Sequence, residues 1–138
     1  MQFRIRTVEA IQNIYIIDDD PIFIYGTKRL IKEVNYEGGI TVFQNGKEGL
    51  MGLAKIQDKE KSQPLIIFLD LNMPVMNGWE FLDAVHKHSD YNSLDLQIFV
   101  LSSSIDPKDT EKAYSYKMVK EFVSKPISPT LLEEILHS

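Results

Sequence analysis

Several features are missing from this sequence, and each absence excludes a class of protein. The 138 residues contain no cysteine, so disulfide bonds and thiolate metal sites are impossible. No apolar stretch approaches the roughly 20 residues that a membrane-spanning helix needs, and residues 1–12 lack the apolar core of a signal peptide. Basic residues are too few to favour nucleic acid, since 15 lysines and arginines stand against 20 acidic residues. We therefore expect a cytoplasmic protein that binds neither a membrane nor nucleic acid.

Motifs for nucleotide binding and for hydrolysis are absent as well. There is no Gly-rich phosphate loop and no dinucleotide-binding fingerprint, which argues against a nucleotide cofactor. His86, His88 and His137 are expected at helix ends or on the surface, so the serines have no nearby base for a hydrolase triad. The hydrophobic fraction of 43% is ordinary for one globular domain. We place that domain at 13–138, behind a short extension at 1–12.

Strand-like apolar runs alternate with amphipathic segments along the chain, which is typical of an α/β fold with a parallel sheet. Pro21, Pro107 and Pro129 each follow a residue suited to the helix N-cap. Strands are predicted near 13–17, 39–43, 65–69, 97–101 and 120–123, and helices near 21–34, 46–58, 78–88, 107–117 and 129–137.

Four of the apolar runs end in polar residues of different chemical kinds: Asp18 and Asp19 after the first strand, Asp70 after the third, Ser102 after the fourth and Lys125 after the fifth. Because the carboxyl ends of parallel strands share one edge, we expect these side chains in one crevice. Crowded carboxylates need a neutralising cation, and Mg²⁺ prefers oxygen ligands. A carboxylate can also accept a phosphoryl group whose charge a lysine neutralises. The sequence thus predicts a phosphoryl-transfer site.

Plainer interpretations of some positions stay open at this point. Asp20, followed by Pro21, suits a helix cap better than a metal site. Serine is common in loops for its turn chemistry alone, so the run from Ser102 to Ser104 is weak evidence by itself. Lys125 could be an exposed loop residue. The combination of residues, more than any one of them, supports the site.

Four segments stand in order along the chain: IIDDDP at 16–21, FLDLNMPVMNG at 68–78, VLSSS at 100–104 and FVSKP at 122–126. They resemble the receiver domain of two-component response regulators, and the resemblance extends from Asn13 to the end of the chain. It implies a flavodoxin-like (βα)5 fold, with a doubly wound parallel sheet of five strands in the order 2-1-3-4-5.

The resemblance also implies a role for each position of the predicted site. Asp70 would be the phosphoacceptor, and Lys125 would pair with the phosphoryl group. Mg²⁺, with Mn²⁺ as an alternative, would be held by Asp18, Asp19, Asp70 and the backbone carbonyl of Asn72. The protein would then be a signalling phosphoacceptor that assists its own phosphorylation and dephosphorylation, and not an enzyme in the usual sense.

A switch and its partners follow from the same resemblance. Ser102 would turn toward the phosphoryl group, Phe122 would move inward, and the face at 106–138 would be remodelled. The bond between Lys125 and Pro126 would be cis. A histidine kinase or phosphotransfer protein would supply the phosphoryl group, and an unidentified target protein would bind the switched face. Since no segment follows the last predicted helix, we expect a stand-alone response regulator that acts through protein contacts.

Rival functions and one departure from the family pattern remain. The chain could be a relay intermediate that passes the group to a phosphotransfer histidine, or a binding module that works without phosphorylation. A haloacid-dehalogenase-type phosphatase would need Asp-x-Asp where Asp70, Leu71 and Asn72 stand, and the acidic first loop disfavours a flavodoxin. Receivers usually carry a Gly-Ala pair where this chain has Met118 and Val119. We expect the neighbouring Tyr114, Tyr116 and Met118 on a partner surface.

Overall fold

The computed structural model describes Ile11 and residues 13–137, so the predicted extension at 1–12 lies outside the described residues except for Ile11. Ten principal elements alternate along these residues: β1 (Asn13–Ile17), α1 (Pro21–Glu33), β2 (Gly39–Phe43), α2 (Gly46–Ala54), β3 (Pro64–Asp70), α3 (Gly78–Lys87), β4 (Asp95–Ser102), α4 (Pro107–Tyr114), β5 (Val119–Ser124) and α5 (Pro129–His137). Short 3₁₀ turns lie at Asp58–Glu60 and Ser89–Ser93.

The strands form one parallel sheet in the order β2-β1-β3-β4-β5. Alternate residues of a strand point to opposite faces, and here each face packs against its own helices. One hydrophobic cluster joins Tyr15 and Ile17 of β1 to residues of α2 and α3. The other joins Ile14 and Ile16 to residues of α1 and α5. Because both faces are covered, the predicted doubly wound flavodoxin-like fold is confirmed.

The helices begin directly after the strands because side chains at those junctions cap them. The three predicted pairs of a capping residue and a proline behave as expected, with each cap accepting a backbone N–H of the first turn: Asp20 Oδ1 from Ile22 (3.0 Å), Asp106 Oδ1 from Lys108 (2.9 Å) and Ser128 Oγ from Leu131 (3.1 Å). No helix among the described residues is long and apolar enough to cross a bilayer.

Two helices are shorter than the sequence pattern predicts. α2 ends at Ala54 instead of 58, and α4 ends at Tyr114 instead of 117. After α4 the Tyr116 side chain turns into the core and is only 8% exposed, while Met118 packs half-buried against the same cluster. The prediction that Tyr116 and Met118 lie on a partner surface is therefore wrong. Only Tyr114 of that group is exposed, at 49%.

Candidate functional site: the carboxyl edge of the sheet

Three carboxylates meet where β1 and β3 end. The two strands are neighbours, with Ile17 opposite Leu69, so the aspartates that follow or end them lie side by side. Asp18, Asp19 and Asp70 each offer an oxygen within 4.8 Å of the others. Asp18 and Asp70 are buried, at 1% and 8% exposure, and Asp19 is exposed. The predicted grouping of these carboxylates is thus present in the structure.

Lys125 reaches this group from the end of β5. Its Nζ lies 2.9 Å from Asp18 Oδ2 and 3.4 Å from Asp70 Oδ1, and its side chain is 17% exposed. Its backbone N–H donates to the Ser102 carbonyl (2.8 Å), which ties the residue to the end of β4. The Lys125–Pro126 peptide bond is cis, as predicted. Lys125 is therefore a half-buried partner of two carboxylates and not a free loop lysine.

The electrostatic balance of the site leaves it short of positive charge. Burial raises the pKa of the Asp70 carboxyl and Asp18 raises it further, while Lys125 and the Asn72 backbone N–H act against them. Burial lowers the pKa of Lys125, but its contacts with Asp18 and Asp70 outweigh that effect and the net shift is upward. The lysine therefore stays protonated. One ammonium faces three carboxylates, so a divalent cation would balance the remaining negative charge.

The oxygen atoms at the site fit a hard cation. Asp18 Oδ1 accepts the backbone N–H of Asp20 (2.9 Å). Asp18 Oδ2 is buried and, apart from the ion pair with Lys125, accepts no hydrogen bond from the described residues. Asn72, whose carbonyl was predicted as a further ligand, is exposed two residues beyond Asp70. Carboxylate and carbonyl oxygens form the donor set that Mg²⁺ and Mn²⁺ prefer.

Gly78 lets α3 begin directly against the Asp70 backbone. A Cβ at this position would lie 2.5 Å from the Asp70 carbonyl oxygen and 2.9 Å from Leu71 Cα, both backbone atoms. The Gly78 N–H donates to the Leu71 carbonyl (3.0 Å), and Asn77 caps the helix through Glu80 in a capping box. The sequence pattern marks Asn77 and Gly78 only as a turn. Only the fold shows that they bring the start of α3 against the Asp70 backbone.

The two predicted switch residues belong to β4 and β5, on the side of β3 away from β1. Ser102 is buried, and its Oγ donates to the Ser104 carbonyl (2.7 Å) and accepts the Ser104 N–H (3.3 Å). Phe122 is half-buried against the core, and its backbone N–H donates to Tyr114 Oη (3.1 Å). In this structure the hydroxyl of Ser102 is therefore engaged within its own loop and not by the carboxylates.

Sequence reasoning missed the contacts that two aromatic residues make with these groups. The centre of the Phe23 ring lies 4.3 Å from Lys125 Nζ. The start of α1 at Pro21, immediately after the aspartates, was a usable signal, because it places residues of the first turn beside the site. Tyr114 holds the Phe122 backbone from the end of α4. The spacing between Tyr114 and Phe122 in the sequence carries no comparable signal.

Comparison with known sequences identifies the family of this chain. The family model of the response regulator receiver domain matches residues 14–137. The nitrate/nitrite response regulator protein NarL of Escherichia coli is 35% identical over 124 residues, and an uncharacterized response regulatory protein of Staphylococcus epidermidis is 32% identical over 123 residues. These alignments cover 90% and 89% of this chain but 52% and 44% of the relatives. The chain thus spans about half the length of the curated relatives it matches.

Solved structures agree with the sequence comparison. A two-component response regulator from Cytophaga hutchinsonii superposes with a TM-score of 0.81 at 29% identity, covering 91% of this chain and 94% of that chain. The Mn²⁺-bound response regulator Rcp1 (TM-score 0.67, 20% identity, covering 92% and 96%) shares the fold. Receiver domains are signalling phosphoacceptors that take their phosphoryl group from histidine kinases or phosphotransfer proteins and bind Mg²⁺ at an acidic pocket. The chain belongs to the receiver domain family of two-component response regulators.

Proposed function

We propose that this chain accepts a phosphoryl group on Asp70 from the phosphohistidine of a histidine kinase or phosphotransfer protein, in a reaction that requires Mg²⁺. One observation carries the proposal: the buried Asp70 carboxylate pairs with Lys125 beside the carboxylate of Asp18. A nucleophile, a cation for the transferred group and a set of metal ligands therefore share one crevice. Membership of the receiver family supports phosphohistidine as the donor.

Asp70 would act as the nucleophile. One of its carboxylate oxygens attacks phosphorus in line, the bond between nitrogen and phosphorus breaks, and the imidazole of the donor keeps the electron pair. Burial and Asp18 raise the pKa of Asp70 and so disfavour the ionised nucleophile, whereas Lys125 and the Asn72 N–H favour it. The net shift of this pKa is upward, so Lys125 and the Asn72 N–H offset only part of the cost of ionising the buried carboxyl. The close packing of Gly78 against the Asp70 backbone holds the carboxylate in place.

Charge that spreads over the transferred group has to be neutralised. Lys125 supplies one ammonium within reach of Asp70 and can pair with a phosphoryl oxygen there. Asp18, Asp19, Asp70 and the carbonyl of Asn72 would hold Mg²⁺, which would add positive charge beside the transferred group. The contribution of the protein is therefore mainly placement and electrostatics.

The test is intact-protein mass spectrometry after treatment with acetyl phosphate, with and without Mg²⁺. Wild type should gain one phosphoryl group only with Mg²⁺, and Asp70→Asn should gain none. Asp95→Asn is the matched control, because Asp95 is exposed at the amino end of β4 and should leave the adduct unchanged. An adduct that persists in Asp70→Asn, or no adduct in folded wild type with Mg²⁺, would refute phosphorylation at Asp70.

Phosphorylation would then be transmitted through Ser102 to α4. The hydroxyl of Ser102 would exchange its bond within the loop for one to the phosphoryl group, which changes the segment that leads into α4. Phe122 would follow by moving inward. The exposed side chains of Ile105 and Tyr114, at 51% and 49%, offer a target protein apolar contacts on this side. The outcome is a two-state shift driven by one local event.

Trp79 offers a direct reading of this switch. It is the only tryptophan of the chain, and the Lys112 ammonium of α4 lies 4.4 Å from the centre of its ring. Phosphorylation of wild type should therefore change the fluorescence of Trp79. Ser102→Ala should keep the adduct and lose most of this change, while Ser103→Ala, one residue away and exposed, should behave like wild type. An unchanged response in Ser102→Ala would contradict the role of this hydroxyl.

A further inference from the structure

The Lys125 ammonium has a third close neighbour besides its two carboxylates. The carboxylates come from the ends of β1 and β3, and the aromatic face of Phe23 comes from α1, with its ring centre 4.3 Å from Nζ. A cation within about 6 Å of a ring centre is attracted by the negative face of the ring. The ammonium therefore lies between charged oxygens and an aromatic surface.

The position of Phe23 is fixed by the same aspartate that binds Lys125. Asp18 Oδ2 pairs with the ammonium, while Oδ1 accepts the Asp20 N–H. Asp20 in turn caps α1 through the N–H of Ile22, and Phe23 is the next residue of that turn. Asp18 therefore contacts the ammonium directly and the turn that carries the ring through Asp20.

Phe23 and Lys125 also line one groove of about 540 Å³. Its walls combine apolar Leu30, Pro126 and Ile127 with the polar side chains of Asp20, Thr27, Arg29 and Glu33. Among the described residues, the carboxylates within 4.0 Å of the ammonium are those of Asp18 and Asp70. When Asp18 engages a metal ion, the lysine must share this carboxylate with a stronger cation. The attraction of the ring is independent of that competition.

We propose that Phe23 is a positioning residue for phosphoryl transfer, whose ring face holds the Lys125 ammonium beside Asp70 while Asp18 binds the metal. This inference rests on the proposed function, since it concerns the same reaction. The competing explanation is that Phe23 only fills space between α1 and the segment at 125–127. The two explanations differ in whether the electrons of the ring matter.

The test compares initial rates of phosphorylation by acetyl phosphate at saturating Mg²⁺. Phe23→Leu keeps an apolar side chain without a ring and should lower the rate about fivefold, which corresponds to roughly 1 kcal/mol. Phe23→Tyr restores the ring and should restore the rate. Site-specific 3,4,5-trifluorophenylalanine at position 23 keeps the shape but withdraws electrons, so it should be slow like Phe23→Leu. Tyr36→Leu is the matched control, because Tyr36 is a half-buried aromatic packed against the same cluster, but it follows the carboxyl end of α1, whereas Phe23 lies in the first turn.

A second measurement examines the contact without phosphorylation. In wild type the ε-methylene protons of Lys125 should be shifted upfield by the ring current of Phe23, and Phe23→Leu should remove the shift. Slow transfer in both the leucine and trifluoro variants, with this upfield shift, supports the inference. A trifluoro variant as fast as wild type, or no ring-current shift, overturns it while phosphorylation itself stands. No adduct in folded wild type overturns the proposed function and the inference with it.

Discussion

The helices α4 and α5 follow the neighbouring strands β4 and β5, yet they are attached to the sheet in opposite ways. α5 inserts Leu132 and Leu136 into the core, where they are 0% and 8% exposed, and Ile127 just ahead of it is 2% exposed. Among the described residues of α4 only Ala113 is buried. Because an alanine buries a single methyl group, the hydrophobic attachment of α4 is small.

Directed contacts hold α4 instead. They join the helix and the residue two positions beyond it to α3 and β5: Lys112 over the ring of Trp79, Tyr114 Oη accepting the Phe122 N–H, and the Tyr116 hydroxyl donating to Asp83. Each such contact contributes about 1 kcal/mol and depends on orientation. We therefore expect α4 to shift without opening the core, whereas α5 should stay in place. The face proposed at 106–138 would then combine a responsive helix with a fixed one.

The largest expected effect on stability concerns α5. Leu132→Ala removes a fully buried side chain and should lower the free energy of unfolding by about 2–5 kcal/mol, measured by urea denaturation. Lys112→Ala, which removes a directed contact of α4, should lower it by about 1 kcal/mol or less. If the Lys112 variant loses as much stability as the Leu132 variant, the two helices are not attached differently.

A pair of glycines tests how closely the backbone packs around Asp70, the proposed phosphoacceptor. Gly78→Ala forces a methyl group against the Asp70 and Leu71 backbone and should lower the free energy of unfolding by about 1–3 kcal/mol. Gly26→Ala in α1 meets nothing within 4 Å and should raise it by up to about 1 kcal/mol. Thermal and urea unfolding of both variants will measure the two values. Equal free energies of unfolding for the two variants would mean that the backbone around Gly78 adjusts to the added methyl group at little cost.

Alkaline pH should weaken the attachment beyond α4. Burial, with the hydrogen bond to Asp83, raises the pKa of Tyr116 from 10.0 to about 12. The stabilisation that the protonated Tyr116 hydroxyl gives the folded state is thus complete below pH 10 and is lost as the pH rises through 12. By pH 11 the free energy of unfolding should have fallen by a value on the order of 1 kcal/mol. Tyr116→Phe should be less stable than wild type at pH 8 and lose less stability between pH 8 and 11. Parallel losses in both proteins would remove Tyr116 as the cause.

The smallest effect concerns one hydrogen bond to the edge strand. Tyr114→Phe leaves the Phe122 N–H to water and should lower stability by about 1 kcal/mol or less. Exchange of the Phe122 amide with deuterium should become faster, while amides of α5 stay unchanged. Tyr25→Phe is the control, since Tyr25 is 68% exposed on α1. Equal acceleration in α5 would show that α4 and α5 open together.

Much of the site could be predicted because the fold brings strand ends together by rule. Asp18, Asp70 and Lys125 follow apolar runs, and parallel strands place their carboxyl ends on one edge, so these residues had to be near one another. The helix starts were equally predictable, because capping residues and prolines act within one turn. Both kinds of information are local in the sequence.

The alternation of strands and helices could be predicted from the chain alone, as could their starting points and the chemical character of the crevice, since all three depend on periodicity and on neighbours along the chain. Three features emerged only once the elements were packed together: Phe23 faces Lys125, Tyr114 holds Phe122, and Tyr116 is buried. These contacts join side chains from separate elements. Their geometry depends on how the helices pack against the sheet, which no spacing along the chain encodes.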